Sequence, residues 1–62
     1  MRGNKLKEIR LENNMTQAEL AEKLSITQQA VARIENGNSR PSLGTAYKIS
    51  VIFNKTIDEI FF

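Results

Sequence analysis

Apolar residues recur at helical spacing in two neighbouring segments near the middle of the chain: Leu20, Ala21 and Leu24, then Val31 and Ile34. Only Ser25 and Ile26 separate the first segment from Thr27, a residue suited to cap the second helix. Two helices joined by so short a turn cannot lie flat and antiparallel. The pattern therefore predicts two helices that cross steeply, over residues 17–36, as in a helix-turn-helix unit.

The flanking pattern predicts three more short helices. Asn4 caps a first helix over residues 5–13, with Leu11 off its inner stripe and exposed. A fourth helix runs from a Ser42 cap to Phe53 and turns four apolar residues inward: Leu43, Ala46, Ile49 and Phe53. A fifth helix follows, with Ile57, Ile60 and Phe61 at i, i+3 and i+4. The chain, residues 1–62, is therefore expected to be one all-α domain.

Helix starts and stops are marked by local signals. Thr16 with Glu19, and Thr56 with Glu59, have the spacing of capping boxes. At the other ends, Asn14 and Gly37 are residues that tolerate the left-handed conformation in which many helices stop.

Composition excludes several classes of function. The 62 residues contain no cysteine and no histidine, so disulfides, zinc sites of the usual ligands and histidine catalysis are excluded. No cofactor, metal or small-molecule ligand is indicated, the carboxylates are scattered along exposed helix faces, and an enzyme is not expected. No apolar run approaches the roughly 20 residues that span a bilayer, and the N-terminus lacks a signal-peptide pattern, which favours a cytoplasmic protein. The net charge of +2 leans only slightly toward a polyanionic partner.

The helix pair and its surroundings resemble the DNA-binding domain of the lambda-repressor and Cro family. The resemblance rests on residues spread over nearly the whole chain: Arg10, Gln17, Ala21, Ile26, Val31, Ile34, Glu35-Asn36-Gly37 and Pro41-Ser42-Leu43. It implies a compact five-helix domain of a prokaryotic or phage regulator that binds double-stranded DNA. Ser25 departs from the family, because most relatives have glycine in this turn. A serine with positive φ there is expected to cost about 1 kcal/mol.

The resemblance makes the third helix the recognition helix, and its outer face carries the candidate base contacts: Thr27, Gln28, Gln29 and Arg33. Glutamine pairs in bidentate fashion with adenine, and arginine with guanine, on the major-groove edge. The alternative is a polar face that is merely solvated. Relatives contact the DNA backbone at the start of the second helix and after the third. Here those positions give the candidate phosphate contacts Gln17, Asn36, Asn38 and Arg40.

Arg10 and Glu35 occupy positions where related phage repressors have a buried ion pair. We expect a structural role, with the pair fixing the first helix against the third. The guanidinium can also face a phosphate.

The C-terminal end is rich in apolar side chains: Ile57, Ile60, Phe61 and Phe62. A core this small does not have room for all four, so the surplus, above all Phe61 and Phe62, is predicted to meet a second copy. Relatives dimerise through this end about a two-fold axis. The alternative is that a segment beyond this sequence covers these residues.

The prediction is a transcriptional regulator that binds a near-palindromic operator as a homodimer, with repression more expected than activation. Two rivals share the scaffold. One is an antitoxin or a restriction-modification controller, which a neighbouring toxin or nuclease gene would reveal. The other is a protein-interaction adaptor without DNA binding, for which every duplex would have the same affinity.

Overall fold

Five short helices form the part of the chain that the structure describes. The computed structural model describes residues 4–62, and residues 1–3 of the predicted domain lie outside that part. The helices are α1 (Leu6–Glu12), α2 (Gln17–Leu24), α3 (Gln28–Glu35), α4 (Leu43–Phe53) and α5 (Ile57–Phe61). The prediction of an all-α, five-helix domain is confirmed. Across residues 4–62, no helix is long and apolar enough to cross a membrane.

Side-chain caps begin four of the helices where the sequence predicts them. Thr16 Oγ1 accepts from the Glu19 amide at 3.0 Å, and Glu19 Oε1 accepts from the Thr16 amide at 2.8 Å. Thr56 and Glu59 form the same reciprocal box at the start of α5. The hydroxyls of Thr27 and Ser42 accept from the third amide of α3 and of α4. Each cap satisfies an amide that the helix leaves without a partner, and stabilises by about 1 kcal/mol.

Four helices are followed, within two positions of their last residue, by a residue with positive φ: Asn14 (55°), Ser25 (57°), Gly37 (82°) and Asn54 (54°). At Ser25 the amide donates to the Glu22 carbonyl, and the next amide, of Ile26, donates to the Ala21 carbonyl at 3.0 Å. This is the Schellman arrangement, which satisfies the last free carbonyls of a helix. The positive φ predicted for Asn14, Ser25 and Gly37 is confirmed, whereas the same stop at Asn54 was not predicted.

The helices wrap around a single apolar core. Helix α3 packs on α2 and α1, whereas α4 packs on α5 and α2, and α5 also touches α1. The buried apolar side chains come from every helix: Leu6, Ile9, Leu20, Ala21, Leu24, Val31, Ile34, Ala46, Ile49, Phe53, Ile60 and Phe61. The small side chain of Ala21 lies buried in α2, the helix on which α3 packs.

The prediction that Leu43 turns inward is wrong, because its side chain is 81% exposed. Ala46, Ile49 and Phe53 form the buried stripe of α4. A step of three residues falls about 60° short of a full helical turn. Leu43 therefore lies about 60° around the helix from Ala46, outside the buried stripe. It instead lies one helical step of four from Tyr47, which is also exposed.

Candidate nucleic-acid interface

The outer face of α3 presents the residues predicted to read bases. Thr27, Gln28, Gln29 and Arg33 are all exposed, while Val31, Ile34 and Glu35 on the opposite side are buried. Thr27 Oγ1 accepts from the Ala30 amide at 3.0 Å, which leaves its hydroxyl proton free to donate. Among the described residues, no side chain hydrogen-bonds to Gln28 or Gln29. The first turn of α3 therefore offers amide and hydroxyl groups to an external partner.

Charge is distributed unevenly around the chain. The exposed carboxylates belong to α1, α2 and α5: Glu8, Glu12, Glu19, Glu22, Asp58 and Glu59. Between residues 27 and 56 the only acid is Glu35, which is buried and paired with Arg10. The exposed charges of that stretch are Arg33, Arg40 and Lys48. The exposed charges of α3 and of the segment after it are therefore all positive, although the whole chain has a net charge of only +2.

The segment that follows α3 is held by its own backbone. The amides of Asn38 and Ser39 both donate to the Arg33 carbonyl, at 2.9 and 3.2 Å. Asn36 Oδ1 accepts from the Asn38 amide at 3.2 Å, which leaves the Asn36 amide group as a donor. Asn36, Asn38 and Arg40 are exposed, so the donors predicted to contact phosphate lie next to the recognition face.

Arg10 and Glu35 form a buried ion pair between α1 and α3. Arg10 Nε lies 2.6 Å from Glu35 Oε2, and Arg10 Nη2 donates to Glu35 Oε1 at 3.2 Å. Arg10 Nη1 donates to the Met15 carbonyl at 2.8 Å. The fork geometry satisfies both carboxylate oxygens and fixes the end of α3 against α1.

Gln17, at the start of α2, joins the same network. Its Nε2 donates to Glu35 Oε1 at 3.0 Å, and its side chain is half-buried. This bond was not predicted from the sequence. A carboxamide nitrogen carries two hydrogens, so one remains after the bond to Glu35. Glu35 therefore fixes the side-chain amide of Gln17, Arg10 and the end of α3 in one arrangement.

The comparison with known proteins agrees with this geometry. A family model described as helix-turn-helix matches residues 6–60. The chain belongs to the helix-turn-helix family of the Cro/C1 type.

Relatives of this helix-turn-helix chain occur in archaea and bacteria. An uncharacterised HTH-type transcriptional regulator of Methanocaldococcus jannaschii is 45% identical over 58 residues, which cover 94% of this chain and 88% of the relative. Another, from Archaeoglobus fulgidus, is 42% identical over 57 residues, covering 92% and 80%. A more partial match is the antitoxin HipB of Escherichia coli, which is 41% identical over 46 residues, covering 74% and 49%.

The C-terminal end of the helix-turn-helix domain differs from the expectation. Phe61 was predicted to be surplus to the core, but it is only 5% exposed, and Ile60 is fully buried. Helix α5 packs on α1 and α4, and the Lys5 amide donates to the Ile60 carbonyl at 2.9 Å, which brings α5 close over the core. Ile57 is half-buried against the core, so Phe62, 88% exposed, is the one predicted dimer residue that stands free of it.

Two further features of the helix-turn-helix domain were missed. Asn4 accepts from the Leu6 amide at 3.0 Å, as a cap does, but its Nδ2 also donates to the Ile34 carbonyl at 2.8 Å and so ties α1 to the last turn of α3. No local pattern signals that second bond. The uneven distribution of carboxylates, in contrast, can be read from the order of residues along the chain.

Proposed function

We propose that this DNA-binding, HTH-type transcriptional regulator inserts α3 into the major groove of a near-palindromic operator as a homodimer and represses transcription. The observation that carries the proposal is the first turn of α3. It exposes the side chains of Thr27, Gln28 and Gln29. No carboxylate is exposed in the stretch from residue 27 to residue 56. A helix fits the major groove of B-DNA, and its first turn reaches the base edges.

Base readout is assigned to Gln28, Gln29 and Arg33, with Thr27 as a further donor. The amide of a glutamine matches the N6 and N7 positions of adenine, and the fork of Arg33 matches O6 and N7 of guanine. Ala30 and Ala32 are half-buried and small, so they allow the helix to approach the base pairs closely. Their methyl groups suit contact with thymine.

Phosphate contacts are assigned to Gln17, Asn36, Asn38 and Arg40. The second hydrogen of Gln17 Nε2 is a donor that Glu35 orients through the 3.0 Å bond to the first. The free amides at the start of α2 add a partial positive charge at the same place. These contacts set the register of α3 in the groove but carry no sequence information.

In this proposal, the bound dimer represses transcription by occupying promoter DNA. Within the described residues, the fold is one small domain with extents of 23 × 23 × 20 Å. A dimer of that size covers promoter DNA and excludes other proteins by occupying it. The regulator would act in the cytoplasm, where it would be associated with the nucleoid.

The test is selection of the purified protein against a library of random duplexes, followed by sequencing. An enriched inverted repeat with half-sites about one helical turn apart, roughly 34 Å, is expected. Placed between a promoter and a reporter gene, that repeat should lower expression when the protein is produced. Equal recovery of all duplexes at moderate salt would contradict base readout, and raised expression would contradict repression.

An antitoxin is the second candidate, because the match to HipB covers 74% of this chain. In that case the regulator would also bind a toxin encoded beside it and would repress their common promoter. Co-expression with each neighbouring gene tests this. Rescue of growth by the chain, together with a stable complex of the two purified proteins, would establish the antitoxin role.

A further inference from the structure

Asn4 holds the last turn of α3 from outside that helix. Its Nδ2 donates to the Ile34 carbonyl at 2.8 Å, although the two residues are 30 positions apart. Its Oδ1 accepts from the Leu6 amide at 3.0 Å, which fixes the same side chain at the start of α1. A planar carboxamide that is bonded at both ends has little freedom to rotate. Asn4 therefore joins the start of α1 directly to the end of α3.

The Ile34 carbonyl is also an anchor for the chain that follows α3, which we name the phosphate segment (residues 36–40). The Gly37 amide donates to this oxygen at 3.2 Å, and the amides of the next two residues donate to the Arg33 carbonyl. Two adjacent carbonyls thus hold the backbone of the segment. Across residues 4–62, Asn4 is the one side chain from another part of the chain that bonds to either of them.

Arg10 provides a second hold on the same turn. Its guanidinium bonds to both carboxylate oxygens of Glu35, the residue after Ile34. Asn4 precedes α1 and Arg10 lies in its last turn, so the two holds lie at opposite ends of a helix about 10 Å long. One contact leaves α3 free to pivot about it, whereas two separated contacts set a direction. Asn4 therefore adds orientation to an attachment that the ion pair alone leaves free to pivot.

We propose that Asn4 is a positioning residue for DNA binding, which sets the place of the phosphate segment relative to the start of α2 without touching DNA itself. This inference rests on the phosphate contacts of the proposed function. Those contacts form two groups, Gln17 at the start of α2 and three donors in the phosphate segment. Phosphates lie at fixed spacings along B-DNA, so both groups engage together only while the end of α3 keeps its position. Without the Asn4 bond, the protein loses affinity for every sequence alike.

The variant Asn4→Ser separates this role from the start of α1. A serine hydroxyl accepts from the amide two residues on, as asparagine does, but its side chain is one atom shorter and does not reach the Ile34 carbonyl. Asn13→Ser is the matched control. Asn13 Nδ2 donates to the Ile9 carbonyl at 2.8 Å, a bond of equal length that lies at the end of α1 and does not involve α3. Neither variant changes the net charge.

The first test needs no DNA, so its result is independent of the proposed function. Amide hydrogen exchange reports the local opening of a segment. In Asn4→Ser the Gly37 amide should exchange about two- to tenfold faster than in the wild type, which corresponds to the loss of one hydrogen bond. In Asn13→Ser it should exchange at the wild-type rate. An unchanged rate for the Gly37 amide in Asn4→Ser overturns the hold on the phosphate segment.

The second test measures affinity for a selected and a scrambled duplex, at a temperature where circular dichroism shows every variant to be fully folded. Asn4→Ser should weaken binding to both duplexes by the same factor, at least about threefold. Asn13→Ser should bind as the wild type does. In a chain that already carries Arg40→Ala, Asn4→Ser should cost less than it does alone, because part of what it positions has been removed.

Three outcomes of this binding test overturn the role of Asn4. Wild-type affinity of the folded Asn4→Ser variant would show that the residue serves stability alone. A loss confined to the selected duplex would show that it acts on base readout. Additive losses with Arg40→Ala would show that it does not act through the phosphate segment. If the wild type itself bound neither duplex, the proposed function would fail as well, which distinguishes that result from the other three.

Discussion

At the scale of single residues, Glu35 connects more of the molecule than any other described polar side chain. Its two oxygens accept from Arg10 on α1 and from Gln17 on α2, while its backbone belongs to α3. Arg10 and Glu35 are both buried. A buried ion pair contributes little net stability compared with apolar residues of the same volume, but breaking it leaves a charge without a partner. Its main effect is to fix one arrangement of three helices.

Replacing Glu35 with alanine should therefore leave the domain largely unfolded. Removal of one partner of a buried pair costs about 3–5 kcal/mol, and a core of this size supplies about the same net stability. Thermal melting followed by circular dichroism measures the effect. The double variant Arg10→Met with Glu35→Leu is the control and should fold, because it leaves no charge buried. A cooperative melt of Glu35→Ala within a few degrees of the wild type would show that the pair is not needed.

At the scale of helices, local chemistry decides where each element begins and ends. Caps and left-handed stops act within about five residues, so the sequence predicts them well. Thr16, Thr27, Ser42 and Thr56 all cap as expected. Leu43 was assigned to the wrong side of α4 because the three-residue step to Ala46 was counted as part of the inner stripe, whereas two successive steps of three carry Leu43 away from it.

Ser25 is the least favourable of these helix ends, so Ser25→Gly should stabilise the domain. Ser25 has a φ of 57°, and relief of that conformation should gain about 0.5–1 kcal/mol after the entropy cost of glycine. The melting temperature should rise by roughly 3–6 °C. Asn54→Gly, at a φ of 54°, is the matched control. It should gain less than half as much, because asparagine tolerates this conformation better. Equal gains at both sites would contradict this explanation.

The capping boxes predict a dependence of stability on pH. Hydrogen bonds from the backbone and side chain of Thr16 lower the pKa of Glu19 below 4.5, and those from Thr56 do the same for the pKa of Glu59. Because the folded pKa is depressed, the unfolded chain binds more protons near pH 4, and this stability is lost as the pH falls below about 4.5.

Melting temperatures between pH 6 and pH 3 test that dependence. Glu19→Gln and Glu59→Gln keep a capping side chain without the titration. The fall in melting temperature should be smaller in each variant than in the wild type. Glu22→Gln, at an exposed acid of the same helix α2, should fall as the wild type does. An unchanged fall in both capping variants would exclude this contribution.

At the scale of the whole molecule, contacts between distant residues limit what the sequence predicts. The Gln17–Glu35 bond joins residues 18 apart, and no periodicity marks it. The Arg10–Glu35 pair, 25 residues apart, was expected only because related repressors have one. Phe61 was assigned to the surface by counting apolar residues against the size of the core, but α5 lies over the core and buries it. The exposed face of α3 was predicted correctly, because its position follows from helical periodicity alone.

The whole surface also determines how much of the affinity for DNA depends on the base sequence and how much depends on contacts between charges and phosphates. Gln29→Ala should cost about 1–3 kcal/mol on the selected operator and relax preference at one base pair, because it removes a base contact. Arg40→Ala should weaken binding to every duplex alike and lower the slope of log affinity against log salt by about one. Lys23→Ala, at an exposed cation in the last turn of α2 that is not assigned a DNA contact, is the matched charge control and should change neither. Fluorescence anisotropy titrations on selected and scrambled duplexes at several salt concentrations separate these effects. If Gln29→Ala weakened both duplexes equally, α3 would supply affinity without readout, and specificity would have to come from the shape of the DNA.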